Sequence, residues 1–128
     1  MDEATVRALA EDHYANAGID ESRVEAIYTD DVIVEFPQSG ERFNGIENVH
    51  GFRAAFPQQV RIKLWRTTGS GDFWVNEGRI TYDGGNQMNT VSIWRFRGDK
   101  VAYETVYVTE PWEAPDWRKP WAERMECM

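Results

Sequence analysis

The stretch "VIVEFP", residues 32–37, sets a glutamate inside an apolar run and closes it with Phe-Pro. Its β-branched and aromatic residues suit a short strand. Pro37 ends that strand, because proline has no N–H to give to a ladder. Glu35 is then either a buried carboxylate with chemistry to perform or the polar side of an ordinary strand. Parity separates the two. If Phe36 faces the interior with Val34 and Val32, Glu35 points the other way beside Ile33. A strand-end bulge or a shift of one residue would reverse the assignment.

Upstream, "DEATVRALAEDHYANAG" predicts a helix, with Val6, Leu9, Ala10, His13 and Ala17 on one stripe. Asp2 and Glu3 suit its N-terminus and Gly18 its end. "DESRVEAIY" predicts a second, short helix capped by Asp20, with Val24, Ile27 and Tyr28 apolar; "TDD" then reads as a turn. Downstream, "QSGERFNG" reads as a loop. "IENVHGFRAAF" predicts a third helix with Ile46, Val49 and Phe56 inward.

Beyond Pro57 the chain alternates. "QVRIKLWRTTG", "DFWVNEGRITYD", "QMNTVSIWRFR" and "KVAYETVYVTE" predict four antiparallel strands, with hairpin turns at "DGGN" and at Gly98-Asp99. The tail "PWEAPDWRKPWAERM" is expected to pack on the body, since three solvated tryptophans would form a costly apolar patch. The fold class is α+β, a sheet with helices on one face. The chain of 128 residues suits a single domain, with a core over about 5–110 and the Trp/Pro-rich tail at 111–128. Several strands are apolar on both faces, so a homodimer through the outer sheet face is expected.

A net charge of -8 with dispersed Arg and Lys argues against nucleic acid and anionic membrane as partners. Cys127 is the only cysteine, so no intramolecular disulfide forms, and no Cys/His set has zinc spacing. The acidic start "MDEATVRALAEDHY" lacks a signal-peptide core, and no apolar run approaches the ~18 residues of a membrane span. A cytoplasmic location is the simplest expectation, and neither a metal nor an organic cofactor is expected. Many aromatic residues suit both a core and an apolar pocket for a small ligand.

The order of elements, with "YTDDVIVEFPQSGERFNGIENVHGF", resembles the nuclear-transport-factor-2-like superfamily and, within it, the SnoaL-like polyketide-cyclase group. The ending "RGDKVAYETVYVTEPWEAPDWRKPW" looks like that of one subgroup, in which Glu104, Tyr107, Glu110, Pro111, Trp112, Ala114, Pro115, Trp117 and Arg118 fit. The resemblance implies a cone. A curved sheet wraps the N-terminal helices, and its open end is an apolar pocket for a small apolar or aromatic ligand. Function is not implied as directly, because such folds host isomerases, cyclases, hydratases, epoxide hydrolases and carriers.

The chemistries that the resemblance implies fail at several positions. Where related steroid isomerases keep a base Asp before the proline, Phe36 stands; where they keep a protonated Asp, Ser92 stands. Where related epoxide hydrolases keep an Arg-x-Asp pair, Gly78 and Ile80 stand, and Val106 replaces their last-strand acid. Parity supplies a substitute, since Ala102, Glu104 and Val108 share a face with Val106. A desolvated Glu104 would have a raised pKa, as acid/base work near neutrality needs. Its alternative role is an ion pair with Arg66, Arg79 or Arg95.

His13, on the helical stripe, suits proton transfer, or else is a core histidine bonded to a carbonyl. The Tyr14 hydroxyl could donate to a ligand carbonyl. Trp74 and Trp94 are expected to face the cone, and Phe36, Ser92, Val106 and Glu35 complete the candidate pocket. Three functions remain open: an acid/base enzyme of isomerase, cyclase or dehydratase/hydrolase type with Glu104 as base, a non-catalytic binding or accessory protein, and a dimeric scaffold whose cone is filled by side chains.

Overall fold

The computed structural model describes residues 1–125. Helix α1 (Glu3–Ala15) is capped by Asp2, whose carboxylate accepts the Thr5 N–H at 2.8 Å. Its buried face is Val6, Ala10, His13 and Tyr14. Gly18 follows at φ 74°, and a side chain there would lie 2.5 Å from the Val60 carbonyl oxygen, so the helix exit packs directly on a strand.

Helix α2 (Glu21–Glu25) is shorter than the sequence suggests. The chain turns extended at Tyr28, where strand β1 (Tyr28–Phe36) begins. Pairing overrides helix propensity here. The Ile27 carbonyl accepts the Val101 N–H at 2.8 Å, and Tyr28 registers with Val101. The expected turn at residues 29–31 is instead an irregularity inside β1, between Tyr28 and Ile33, with Asp30 and Asp31 exposed.

The expected loop after Pro37 is a hairpin. Gly40, at φ 72°, donates to the Phe36 carbonyl at 3.0 Å, and β2 (Glu41–Asn44) pairs antiparallel with β1. Helix α3 (Ile46–Ala55) follows. Phe52, not Phe56, joins Ile46 and Val49 against the core. Position 52 lies on the i, i+3 stripe of those residues, whereas Phe56 falls past the helix end and is exposed.

Strands β3 (Val60–Ser70), β4 (Phe73–Tyr82), β5 (Met88–Arg97) and β6 (Lys100–Thr109) form the expected meander. Asp83 and Gly84, at φ 52° and 69°, make the β4–β5 turn, and Gly98 at 65° the β5–β6 turn. The sheet order is β2-β1-β6-β5-β4-β3, with β1 parallel to β6 and the remaining pairs antiparallel. It is curved and unclosed, and α1 and α3 pack on one face.

Register fixes which side chains meet. Across the inner face, Val34, Glu104, Trp94, Trp74 and Gly69 form one row. Val106, Ser92, Asn76 and Thr67 form the next, and Val108, Thr90, Gly78 and Leu64 the third. A bulge at Trp65 keeps both Leu64 and Thr67 inward.

The tail does not pack as expected. Trp112, Trp117 and Trp121 are 82%, 74% and 83% exposed, around a short 3-10 helix (Asp116–Trp121). That helix is held by local contacts, the Lys119–Asp116 ion pair and Arg118 beside the Trp117 ring. Cys127 lies outside the described residues.

Candidate functional site

Glu104 sits in the middle of the inner face, 2% exposed. Three donors engage its carboxylate: the Tyr28 hydroxyl at 2.5 Å, the Ser92 hydroxyl at 2.5 Å and the Trp94 indole N–H at 2.6 Å. The Arg53 guanidinium lies 3.9 Å away and donates to the Tyr28 hydroxyl at 2.8 Å. Ser92 and Trp94 come from β5, Tyr28 from the start of β1 and Arg53 from α3, so the carboxylate ties helix to sheet.

The expected cation was wrong in identity. It is Arg53, not Arg66, Arg79 or Arg95. Arg66 pairs with Glu77, Arg79 donates to Gln87, and Arg95 lies over the Phe73 and Tyr103 rings. All those arginines stand on strand positions opposite in parity to Glu104. The expected pKa direction is also reversed. Burial raises it, but the Arg53 charge, His13 and the hydroxyl donors outweigh burial and hold Glu104 below the ordinary carboxylate value.

His13, 3% exposed, faces the same interior. Its Nδ1 lies 2.9 Å from the Val24 carbonyl oxygen. A carbonyl only accepts, so Nδ1 carries the proton and a neutral ring keeps its lone pair on Nε2. Burial, helped by the Arg53 charge and opposed by Glu104, pushes its pKa down to about 4. The ring meets Trp94 edge-on at 5.5 Å and Tyr28 at 5.9 Å, both of which bond to Glu104.

Tyr14 stacks on Trp94 at 5.9 Å between centroids and 11° between planes. Burial, then the Glu104 charge, push its hydroxyl further above the ordinary tyrosine value, so it stays a neutral donor. The hydroxyl lies near Ser92 and Asn76 but makes no hydrogen bond. With Ile62, Leu64, Asn76, Glu77, Gly78 and Thr90 it lines a cleft of about 10 Å³, room for one water-sized atom.

Trp74 and Trp94 are buried on the inner face as parity requires, and Val106 packs against the same core. Phe36 also turns inward but joins Phe43 and Phe52 in an aromatic cluster, with centroids 5.7 Å away in each case. Glu35 is the correction among the pocket candidates. It lies on the outer face, where Tyr103 and Thr105 hydroxyls donate to it at 2.6 and 3.0 Å. These bonds, Tyr103 first, hold its carboxyl below the ordinary value despite some desolvation. The reason is the alternation of a strand whose Val34 registers with inward Glu104.

Sequence reasoning missed Arg53, Tyr28, Asn76 and Thr67. Arg53 has a signal: it falls at i+4 from Val49 and so carries a charge onto an apolar stripe. Asn76 has one too, as a polar residue at stride two between Trp74 and Ile80. Among the described residues no cluster of His, Cys, Asp and Glu could hold a metal ion.

This cone of curved sheet and helices, with a polar cluster on its inner face, defines the nuclear-transport-factor-2-like class. The SnoaL-like domain matches residues 6–104, and the chain belongs to the SnoaL-like family. An NTF-2-like protein of unknown function from Burkholderia xenovorans LB400 shares 37% identity, with 97% of this chain and 98% of that one covered and a TM-score of 0.88. A proposed ketosteroid isomerase from Kribbella flavida DSM 17836 shares 24% identity over 98% of this chain and 93% of its own, with a TM-score of 0.83. A ketosteroid isomerase-like fold from Catenulispora acidiphila DSM 44928, in complex with trimethylamine, shares 16% identity over 79% and 85%, with a TM-score of 0.69. No curated protein matches the chain in sequence.

Proposed function

We propose that this SnoaL-like protein is a cofactor-independent acid/base enzyme of isomerase, cyclase or dehydratase/hydrolase type, acting on a small apolar or aromatic ligand inside the cone. The observation that carries this reading is that buried His13 and Glu104 share two neighbours, Tyr28 and Trp94, which touch the His13 ring and donate to the Glu104 carboxylate; the imidazole is neutral and the carboxylate anionic. Proton transfer needs a free lone pair, and His13 Nε2 has one. Glu104, already engaged by three donors, suits a supporting role: its charge stabilises the imidazolium that forms as His13 takes a proton. Tyr14, a neutral hydroxyl beside Trp94, suits donation to the ligand. Trp74, Trp94, Ser92 and Val106 pack the inner face around the His13–Glu104 pair, while Phe36 belongs to the neighbouring Phe43 and Phe52 cluster. A steroid-isomerase base is not proposed, because Phe36 occupies its place.

The saturation of Glu104 also favours a second reading, a non-catalytic small-ligand-binding or accessory protein in which that carboxylate only holds the cone together. The trimethylamine complex of a protein of this fold supports small-ligand binding under either reading. A homodimer through the outer sheet face is part of the proposal.

Native mass spectrometry of the purified protein tests it. A retained small molecule, converted to an isomer or a hydrated or dehydrated product on incubation, with conversion at least tenfold slower in His13→Asn, supports the enzyme. Asn keeps a donor for the Val24 carbonyl while removing Nε2. A retained molecule recovered unchanged leaves the binder. No retained molecule, and no conversion across a panel of enones and aromatic ketones, overturns both.

A further inference from the structure

The tail beyond β6 has a defined shape and no surface of its own chain to rest on. Its 3-10 helix buries no residue. The contacts that hold it are local: the Ala122 N–H donates to the Lys119 carbonyl at 3.2 Å, Lys119 pairs with Asp116 at 2.7 Å, and Arg118 lies beside the Trp117 ring. Trp112, Trp117, Trp121 and Met125 are 82%, 74%, 83% and 68% exposed. Four large apolar side chains in open water are a hydrophobic contact still to be made.

The outer sheet face is the second surface of this kind. Phe73 and Tyr107 are 45% and 37% exposed there, with Val75, Val91 and Ile93 half-buried between them. We propose that residues 111–125 form an exchange arm that docks on the outer sheet face of a second copy of this chain, reciprocally about a two-fold axis. The inference rests on the homodimer reading above and goes beyond it by assigning the tail to the partner. The arm does not lie on its own sheet face, where its tryptophans would be covered.

Charge matches the two surfaces. On the face, Arg95 stands at one end of the apolar middle, and Arg79 with Lys63 at the other. Among the described residues none of these three pairs with a carboxylate, and neither Glu113 nor Glu123 of the arm pairs with a cation. Unpaired cations on the face therefore meet unpaired anions on the arm. The same chain already seats guanidinium groups on aromatic rings, Arg95 over Phe73 and Tyr103 and Arg66 over Trp65. Exposed indole faces offer Arg79 and Arg95 of a second copy that same seat.

Area fits a second copy as well. At about 150–250 Å² for a tryptophan, the six indoles of two arms hide roughly 700–1,200 Å². The faces beneath them hide about as much again, which reaches the ~1,200–2,000 Å² of a stable interface.

The test uses the full chain with photoreactive benzoylphenylalanine in place of Trp117. Nitrogen-15-labelled and unlabelled samples are mixed dilute, concentrated together, irradiated and digested. Peptides joining a labelled to an unlabelled chain, from position 117 to β4, β5 or β6, support the arm. Crosslinks confined to one chain, or reaching another surface of the partner, overturn it. Sedimentation of the triple variant Trp112→Ser, Trp117→Ser, Trp121→Ser gives an independent readout. Its dimer dissociation constant is expected to rise about a hundredfold, with the far-UV circular dichroism unchanged because the arm buries nothing in its own copy. An unchanged constant overturns the arm and leaves the outer-face dimer intact. A monomeric wild type overturns arm and dimer together, and leaves the small-ligand reading to the retained-ligand experiment.

Discussion

At the scale of the residue, Glu104 is a buried carboxylate whose cation, Arg53, is only partly buried, 3.9 Å away. Breaking such a pair strands a charge. Glu104→Gln is expected to cost about 3 kcal/mol, read as a lower urea midpoint with an unchanged slope. The pair also sets a pH dependence with His13. The unfolded chain takes up the His13 proton near pH 6.5, the folded chain only near pH 4. Between those values the unfolded state holds more protons, so stability falls as pH drops, by up to about 1.4 kcal/mol per unit. Glu104, whose folded pKa is depressed, contributes stability that is full above pH 4.5 and lost as pH falls further, through its folded value. Urea midpoints from pH 8 to pH 4 should therefore be flat above 6.5 and fall below it. His13→Asn should flatten the fall between 6.5 and 4.5; an unchanged profile would rule out His13 as its source.

At the scale of the element, the sequence is most legible where one period holds without interruption. Stride two from Phe73 to Tyr82 and from Met88 to Arg97 assigns faces correctly, and the same rule sends Glu104 inward and Glu35 outward. It is least legible where pairing between distant strands decides. Nothing local in Tyr28-Thr29-Asp30-Asp31 says that β6 will draw it into a parallel strand, and nothing in Glu41 to Asn44 says that β1 will pair with it. Arg53 and Tyr28 were missed as site residues for the same reason: their roles exist only after α3 and β1 converge on β6. Glycines show the contrast in one residue type. Gly51 lies in α3 with nothing within 4 Å of an added Cβ, so Gly51→Ala should stabilise by about 0.5–1 kcal/mol. Gly78, pressed against the Lys63 carbonyl, should lose about 1–3 kcal/mol on the same change. Chemical denaturation of the two variants should give opposite signs.

At the scale of the whole molecule, the outer sheet face is the surface that needs an explanation. Its middle rows run Glu35, Thr105, Ile93, Val75 and Thr68, and beside them Ile33, Tyr103, Arg95, Phe73 and Ser70. Apolar side chains alternate there with an ordered polar set. Glu35 is fixed by Tyr103 and Thr105, and Arg95 lies over Phe73 and Tyr103. Ordered polar groups among exposed aromatics, Phe73 and Tyr107 included, suit a two-fold contact better than open water. Such a contact is self-complementary, so one substitution near its centre acts twice. Ile93 sits at that centre, with Thr105 and Val75 as its cross-strand neighbours. Sedimentation of the wild type at micromolar concentration should give a dimer, and Ile93→Glu should give a folded monomer, because position 93 faces away from the core. A wild-type monomer would end the dimer proposal. A dimer indifferent to Ile93→Glu would move the contact elsewhere, with the exposed tryptophans of the tail the next surface to test.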